Sequence, residues 1–397
     1  MKVLCVFGKY QYGDTSRGIN TEYAAFVPAL KKLGHEVIHF ESWDMSTYVS
    51  FAEMNQSLLE TVEKVKPDVM LTVQMHYEIW LETLKIIQAR GDVATISWTT
   101  DDSWKYIQVS RFIGGAYHAM TTTYPDVVNK YHQDRIQNVL LSQWAASSDS
   151  FNEPLSFKLC QYPVSFVGRA FGSRNKRIAQ LQKSGIEVAS FGYGWSSGSI
   201  PAEEIPRIMR ESVISLNFAN SIGENQIKAR TFEVPGAGGF LLTEYAPGLE
   251  KYYNLGKEIE IFHNIPELIE KINYYLAHAE ERDAIAWAGF ERTKREHNYE
   301  IRMKEVLDFA IKSKENWLKS NSIQLQKPSF NEALQAHKLN FILKTISCIL
   351  LWISIIIFGK QKGRKAARRI SYEISWRLCK QTTFTASGWP GRMFPKY

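Results

Sequence analysis

Chemistry that holds a multiply charged anion needs cations and open backbone N–H groups, and residues 220–244 offer both within one short stretch. Gly223 frees the loop, and Glu224 or Asn225 caps the start of a predicted helix. That helix presents its first N–H groups and its positive dipole end to an anion, while Lys228 and Arg230 add full charges in its first turns. A diphosphate suits such a place. Glu233 falls near the helix end, where a carboxylate accepts two hydrogen bonds from a vicinal diol such as a ribose. Pro235 and Gly236 then stop the helix, and Gly238-Gly239 turn the backbone into a predicted strand at 240–243. A surface helix with solvated charges explains any one of these residues, but their combination favours a pocket.

A second set lies at predicted strand ends. Arg169 follows Gly168 at the first strand of the second half and is a further diphosphate ligand, with a solvated side chain as the alternative. In the first half, the strand predicted over 94–98 delivers Thr99-Thr100-Asp101-Asp102 to its carboxyl end, where open α/β sheets bind ligands. A reaction that takes a proton from a hydroxyl needs a carboxylate or an imidazole there. Asp101 and Asp102 lead, His76 after the third strand comes second, and a helix N-cap role suits either aspartate as well. Adjacent side chains on an extended segment diverge, so the pair is no D-x-D metal motif and no obligatory metal is expected.

These residues require alternating strands and helices. Apolar runs at 2–7, 36–40, 68–73, 94–98, 118–123 and 139–141 predict six strands, separated by helical patterns such as 58–65 and 79–89. Pro28 falls in the first helical pattern and is expected to kink it or mark its start. The polar stretch 145–154 reads as a linker. Strands then recur at 165–167, 187–191, 214–218, 240–243 and 258–262, followed by helices at 266–279, 281–295 and 299–314. Both halves therefore read as doubly wound α/β units. The loop after the first strand, Gly8 to Gly18, lacks G-x-G-x-x-G, which counts against a dinucleotide-dependent oxidoreductase.

The 397 residues carry a net charge of +7, with residues 331–397 contributing 12 Lys/Arg against 2 Asp/Glu. The tail thus holds +10 and the body −3, so the basic excess is local. Without interleaved stacking aromatics it does not suggest nucleic-acid binding. The four cysteines are scattered, as expected of reduced thiols in a cytosolic compartment, and no signal peptide is visible. Residues 341–358 are largely apolar, with Lys344 the single charge, and are followed at once by Lys360, Lys362, Arg364, Lys365, Arg368 and Arg369. At 1.5 Å per residue the run reaches roughly 27 Å, just short of a ~30 Å hydrocarbon core. Basic clusters stay on the cytoplasmic side, so an in-plane or re-entrant anchor at the inner face of the membrane is expected, with a buried hairpin or a dimer interface as the alternative. Removing everything after about Leu325 is expected to leave two intact cores.

The run Lys-x-Arg-x-Phe-Glu-Val-Pro-x-x-Gly-Gly-Phe-Leu-Leu-Thr, from Lys228 to Thr243, resembles the spore-maturation-type (CgeB-like) glycosyltransferases. The likeness continues through Pro247-Gly248, Lys257-Glu258, Pro266-Glu267-Leu268, Tyr275-Leu276, Arg282, Ala288-Gly289 and His297. It covers about residues 160–310 well, the first 150 weakly and the tail not at all. The resemblance implies the GT-B fold, two Rossmann-like domains facing across a cleft, here an acceptor domain over 1–150 and a donor domain over 151–325, while the membrane-associating tail over 326–397 is expected from its charge and apolar run alone. It implies a nucleotide-sugar donor, which is a substrate, so no cofactor is expected. The expected acceptor is a glycan, glycolipid or protein of the cell envelope. Glu233 matches the ribose-binding acid of related enzymes. Retaining relatives show two glutamates seven residues apart, and Asn225 stands in the first place with Glu224 one residue off, which leaves the stereochemical outcome open. A non-catalytic sugar-nucleotide-binding or scaffold protein is the competing reading, and His297 is equally explained by capping of the last helix.

Overall fold

The computed structural model describes residues 1–218, 227–320 and 329–394, so Glu224 and Asn225 lie outside the described residues. Two wholly parallel sheets organise the chain. The first contains β1 (Lys2–Val6), β2 (Glu36–Phe40), β3 (Val69–Thr72), β4 (Ala94–Ser97), β5 (Ala119–Thr122) and β6 (Val139–Leu141) in the order β2-β1-β3-β4-β5-β6. The second contains β7 (Tyr162–Val167), β8 (Ala189–Phe191), β9 (Ser212–Asn217), β10 (Leu241–Glu244) and β11 (Glu260–Phe262) in the order β11-β10-β9-β7-β8. Runs such as Val3–Val6 and Val69–Leu71 are fully buried. This burial follows from helices covering both faces of a parallel sheet, which leaves its central strands no polar side.

Caps fix several helix starts. Ser50 accepts from Glu53 N at 3.3 Å to begin Phe51–Val65, and Asn264 accepts from Glu267 N at 3.0 Å to begin Ile265–Ala277. Pro28 neither starts nor ends its helix, which runs Thr21–Lys32 with the proline inside. The expected linker at 145–154 is packed structure instead. Ala145 and Ala146 are buried, and Ala146 N donates to His297 O at 2.9 Å.

The chain divides into two compact units, Met1–Ser142 with everything from Lys304 onward, and Gln143–Met303. The helix Tyr299–Ser320 carries the chain from the second unit back to the first. Its later turns belong to the first unit, where Trp317 meets the His118 ring edge-on at 5.1 Å and Lys314 Nζ donates to Asp92 O at 3.1 Å.

The segment expected as a separable tail is also built into the first unit. Ala333, Tyr372, Phe384 and Ala386 share one buried cluster with Phe51, Tyr77, Trp80 and Leu84. Phe384 stacks on Phe112 at 5.5 Å, and His337 lies over Trp80 at 4.8 Å. Truncation after about Leu325 would therefore uncover a hydrophobic core, because hydrophobic burial is shared between distant stretches of chain and not confined to each alternating motif. The long helix Phe341–Leu378 is broken at Gly359, whose φ of 76° and ψ of 166° only glycine adopts readily. The chain reverses there. A Cβ on Gly363 would stand 2.6 Å from both Ser354 O and Ile355 Cα, so the second arm returns against the first at a glycine contact.

Candidate functional site

The carboxyl edge of the second sheet gathers arginines. Arg230, at the start of the helix Arg230–Gly236, reaches Val167 O at the end of β7 with its Nε at 3.3 Å. Arg174 donates to Phe218 O just beyond β9 at 2.9 Å and to Arg169 O at 3.3 Å. Arg177 pairs with Glu244 at 2.8 Å, and the Arg169 guanidinium lies 5.5 Å from the Tyr193 ring. Burial, with Arg174 as a like-charged neighbour, pushes Arg230 down to about 10, and burial together with Arg177 also lowers Arg174. Both stay protonated at neutral pH, so the edge is short of negative charge and suits an anion.

Arg230 already has one partner, the carboxylate of Glu233, in an ion pair whose side chains are 28% and 26% exposed. The predicted diphosphate ligand and the predicted ribose acceptor are thus brought together. The helix itself starts later than the sequence suggests: Ala229 is its N-cap without a side-chain bond, and Lys228 precedes it, with Lys228 O accepting from Thr231 N at 2.9 Å. Lys228 therefore belongs to the preceding loop and not to the first helical turn. The proposed caps Glu224 and Asn225 cannot be placed, since they fall outside the described residues.

The glycines after this helix answer to packing. Gly238 has a φ of 83°, and a Cβ there would sit 2.4 Å from Asn152 O, while one on Gly239 would sit 2.5 Å from Met209 O. Several other residues of the family-like pattern are also structural. Arg282 is fully buried and donates to Val213 O and Ser212 O at 2.8 Å and to Leu155 O at 2.9 Å. His297 Nε2 lies 2.8 Å from Tyr252 O, and the cap of the helix Tyr299–Ser320 is its neighbour Asn298, which accepts from Ile301 N at 2.9 Å.

The carboxyl edge of the first sheet has a different chemistry. Asp102 is 1% exposed, and its carboxylate accepts from Thr99 Oγ1 at 2.8 Å, Ser110 Oγ at 2.7 Å and Tyr131 Oη at 2.9 Å. Burial raises its pKa despite these donors. So enclosed a group holds β4, β5 and the following helices together and has no access to an incoming hydroxyl. Asp101, by contrast, is half-buried, adopts a left-handed conformation (φ 55°, ψ 33°), and its carbonyl begins the short helix Asp102–Lys105.

His76 is a poor base for a physical reason. Its ring meets Tyr372 edge-on at 4.9 Å, and burial, then Lys105, Arg368 and Arg369, push it down to about 3. An imidazole so acidic takes up a proton weakly at neutral pH. Sequence reasoning missed Lys105 and Glu22, both buried at this edge. Lys105 Nζ donates to Gln74 O at 2.7 Å and is surrounded by the charges of Glu78, Asp102, Asp101 and Glu22. Burial raises Glu22 and Glu78 and lowers Lys105. Arg174 and Arg177 were missed too; the signal was a cluster of arginines directly after the Gly168-Arg169 turn. Among the described residues, no group of three or more His, Cys, Asp or Glu side chains is placed to hold a metal ion.

Residues 174–308 match the family model described as glycosyl transferase-like, a span that begins at Arg174 and includes Lys228, Arg230 and Glu233. No curated protein sequence matches the chain. Among solved structures, the Anabaena protein HepE in complex with UDP and glucose is 10% identical, with a TM-score of 0.54 over 78% of this chain and 99% of that one. Sucrose-phosphate synthase from Thermosynechococcus elongatus is 11% identical, with a TM-score of 0.53 over 81% and 100%. A glycosyltransferase from Rickettsia africae is 13% identical, with a TM-score of 0.53 over 79% and 99%. The two parallel α/β units of this chain have the GT-B fold.

Proposed function

We propose that the protein is a glycosyltransferase of the spore-maturation type, which moves a sugar from a nucleotide-sugar to a glycan, glycolipid or protein acceptor of the cell envelope at the cytoplasmic face of the membrane. The observation that carries this reading is the arginine-rich edge of the second sheet, with Arg230 held on Glu233 inside the stretch that matches the glycosyl transferase-like model. When a donor arrives, Arg230 turns to the diphosphate, alongside Arg174, Arg169 and Lys228. Glu233, released, accepts hydrogen bonds from the ribose hydroxyls. The bond from the anomeric carbon to phosphate oxygen breaks, a bond to the acceptor oxygen forms, and the arginines stabilise the charge left on the departing nucleoside diphosphate. The acceptor hydroxyl proton passes to a base, for which Asp101 is the accessible choice of the three candidates. That HepE was solved with UDP and glucose supports a UDP-sugar as the first donor to try.

A thermal-shift series with UDP, GDP, CDP and dTDP and their sugars tests the reading. One nucleotide at ~100 times its dissociation constant should add about 2.7 kcal/mol of stability. Silence with every nucleotide overturns the donor site. Binding without sugar transfer to any envelope acceptor would favour the non-catalytic alternative.

A further inference from the structure

The helix Phe341–Lys360 has a mean hydropathy of 2.4 and is mostly exposed. Its outward side carries Ile342, Ile349, Ile353 and Ile356, which fall within roughly 60° of one another at about 100° per residue, and it also exposes Trp352 by 66%. Leu343, Ser347 and Ser354 face inward. At Gly359 the chain turns back, and Gly363 packs on residues 354 and 355. The returning arm exposes Lys360, Lys362, Arg364, Lys365 and Arg369, and Glu373 is the single acidic residue between 341 and 394. The end of that arm is pinned to the first unit, where Tyr372 Oη donates to Gln108 O at 3.1 Å and its ring meets His76 and Tyr77.

We infer that this hairpin is a monotopic membrane-docking element: its apolar arm lies in the plane of an anionic phospholipid leaflet, and both of its ends stay on one side. The inference rests on the membrane-face reading above and gives its mode. An arm of ~27 Å that then reverses does not cross a ~30 Å hydrocarbon core. Insertion tip-first would carry Lys360, Lys362, Arg364 and Lys365 into hydrocarbon, since they sit at the reversal. Lying flat buries the isoleucine side and leaves those cations at the phosphate level, where long side chains reach the headgroups. The match between a cationic arm and an anionic surface, beside an apolar arm left uncovered by the rest of the described residues, selects lipid over a second copy of the protein.

The test uses the full-length protein with vesicles of phosphatidylcholine alone or with 30% phosphatidylglycerol (about one lipid in three, enough to set an anionic surface potential). Cys160, Cys348 and Cys379 are replaced by serine, fully buried Cys5 is kept, and single cysteines are placed by Ile342→Cys, Ile349→Cys or Ile356→Cys and labelled with bimane. Quenchers at shallow and deep positions in the lipid then report depth. The expected result is sedimentation with anionic vesicles about tenfold above neutral ones, with all three labels equally shallow. A label at 349 deeper than those at 342 and 356, or a depth that grows from 342 to 356, overturns the in-plane hairpin while leaving membrane binding intact. Absence of vesicle binding, with self-association in sedimentation equilibrium, overturns both and makes the apolar arm a dimer interface.

Discussion

The carboxyl edges of the two sheets are equivalent places in the fold but hold opposite charge in opposite ways. In the second unit, Arg169, Arg174, Arg177 and Arg230 converge with Glu233 and Glu244 as their acidic partners, and Arg230 and Glu233 remain partly open to solvent. In the first unit, Glu22, Glu78 and Asp102 are buried around Lys105 and tied down by hydroxyls and backbone N–H groups. An edge with excess, half-open cations is arranged to receive an anion. The other has already satisfied its buried charges internally, and the half-buried Asp101 is the more accessible of its two aspartates. The two edges therefore differ in their expected tolerance to mutation.

That division predicts the largest effect at the most enclosed carboxylate. Asp102→Ala leaves the hydroxyls of Ser110 and Tyr131 without this acceptor, while Thr99 Oγ1 keeps Thr121 O, and each buried unsatisfied group costs about 1–3 kcal/mol. The variant should lose ~3 kcal/mol or more of unfolding free energy in a urea titration, with nucleotide affinity retained by whatever stays folded. A stable, inactive Asp102→Ala would return the aspartate to the chemistry. Asp101→Asn should behave in the reverse manner. Turnover should fall by about two orders of magnitude with donor affinity and melting temperature close to wild type, as expected when proton removal in the transition state is lost. Equal turnover in wild type and variant would assign proton removal to another group, of which Glu22 is nearest in kind.

The architecture was legible because parallel sheets write themselves as continuous apolar runs separated by helical periods, and the strands between Lys2 and Phe262 fall where those runs lie. The residues at 228–243 could also be read, since cations, a carboxylate and glycines sit within one local stretch. Long-range burial was not legible. Nothing near Asp102 in sequence announces Tyr131 and Ser110 as its donors, and nothing in 326–397 announces that Tyr372 and Phe384 complete the core under Trp80. The polar stretch 145–154 misled for a similar reason: Gly236 and Gly238 let it pack closely, and those glycines lie some ninety residues away. Local pattern predicts an element, but not which distant element covers it.

On the cationic edge the expected losses are smaller and fall on binding. Arg230→Ala removes a charged hydrogen bond to the diphosphate and should weaken nucleotide binding by about 1.5–3 kcal/mol, or roughly ten- to 150-fold in Kd by calorimetry. Glu233→Ala should cost less with a nucleoside diphosphate, because it removes the ribose acceptor while also releasing Arg230 from its ion pair. If neither variant changes the affinity, the donor lies elsewhere. Arg230→Lys separates charge from geometry. It should recover part of the binding but not all, since an ammonium lacks the planar fork that grips a phosphate on two oxygens.

The smallest effect at neutral pH, and the one with a definite direction in pH, belongs to His118 beneath the final turns of the helix Tyr299–Ser320. Its Nδ1 lies 3.1 Å from Thr95 N, its ring meets Trp317, and burial followed by the Lys314 charge pushes it down to about 4. The folded-state pKa is below the unfolded value of 6.5, so below that pH the unfolded chain binds the extra proton first and stability falls with acidity. His118 therefore costs nothing above pH 6.5. The loss grows between 6.5 and about 4 at up to ~1.4 kcal/mol per pH unit and then levels off. His118→Gln removes the titration while retaining a polar side chain. The difference in unfolding free energy between wild type and variant, measured in urea from pH 7.5 to 4.5, should be flat above 6.5 and should move in favour of the variant below it. A difference independent of pH would mean that the imidazole protonates as easily in the folded chain as in the unfolded one, and that the helix carrying Trp317 does not shield it.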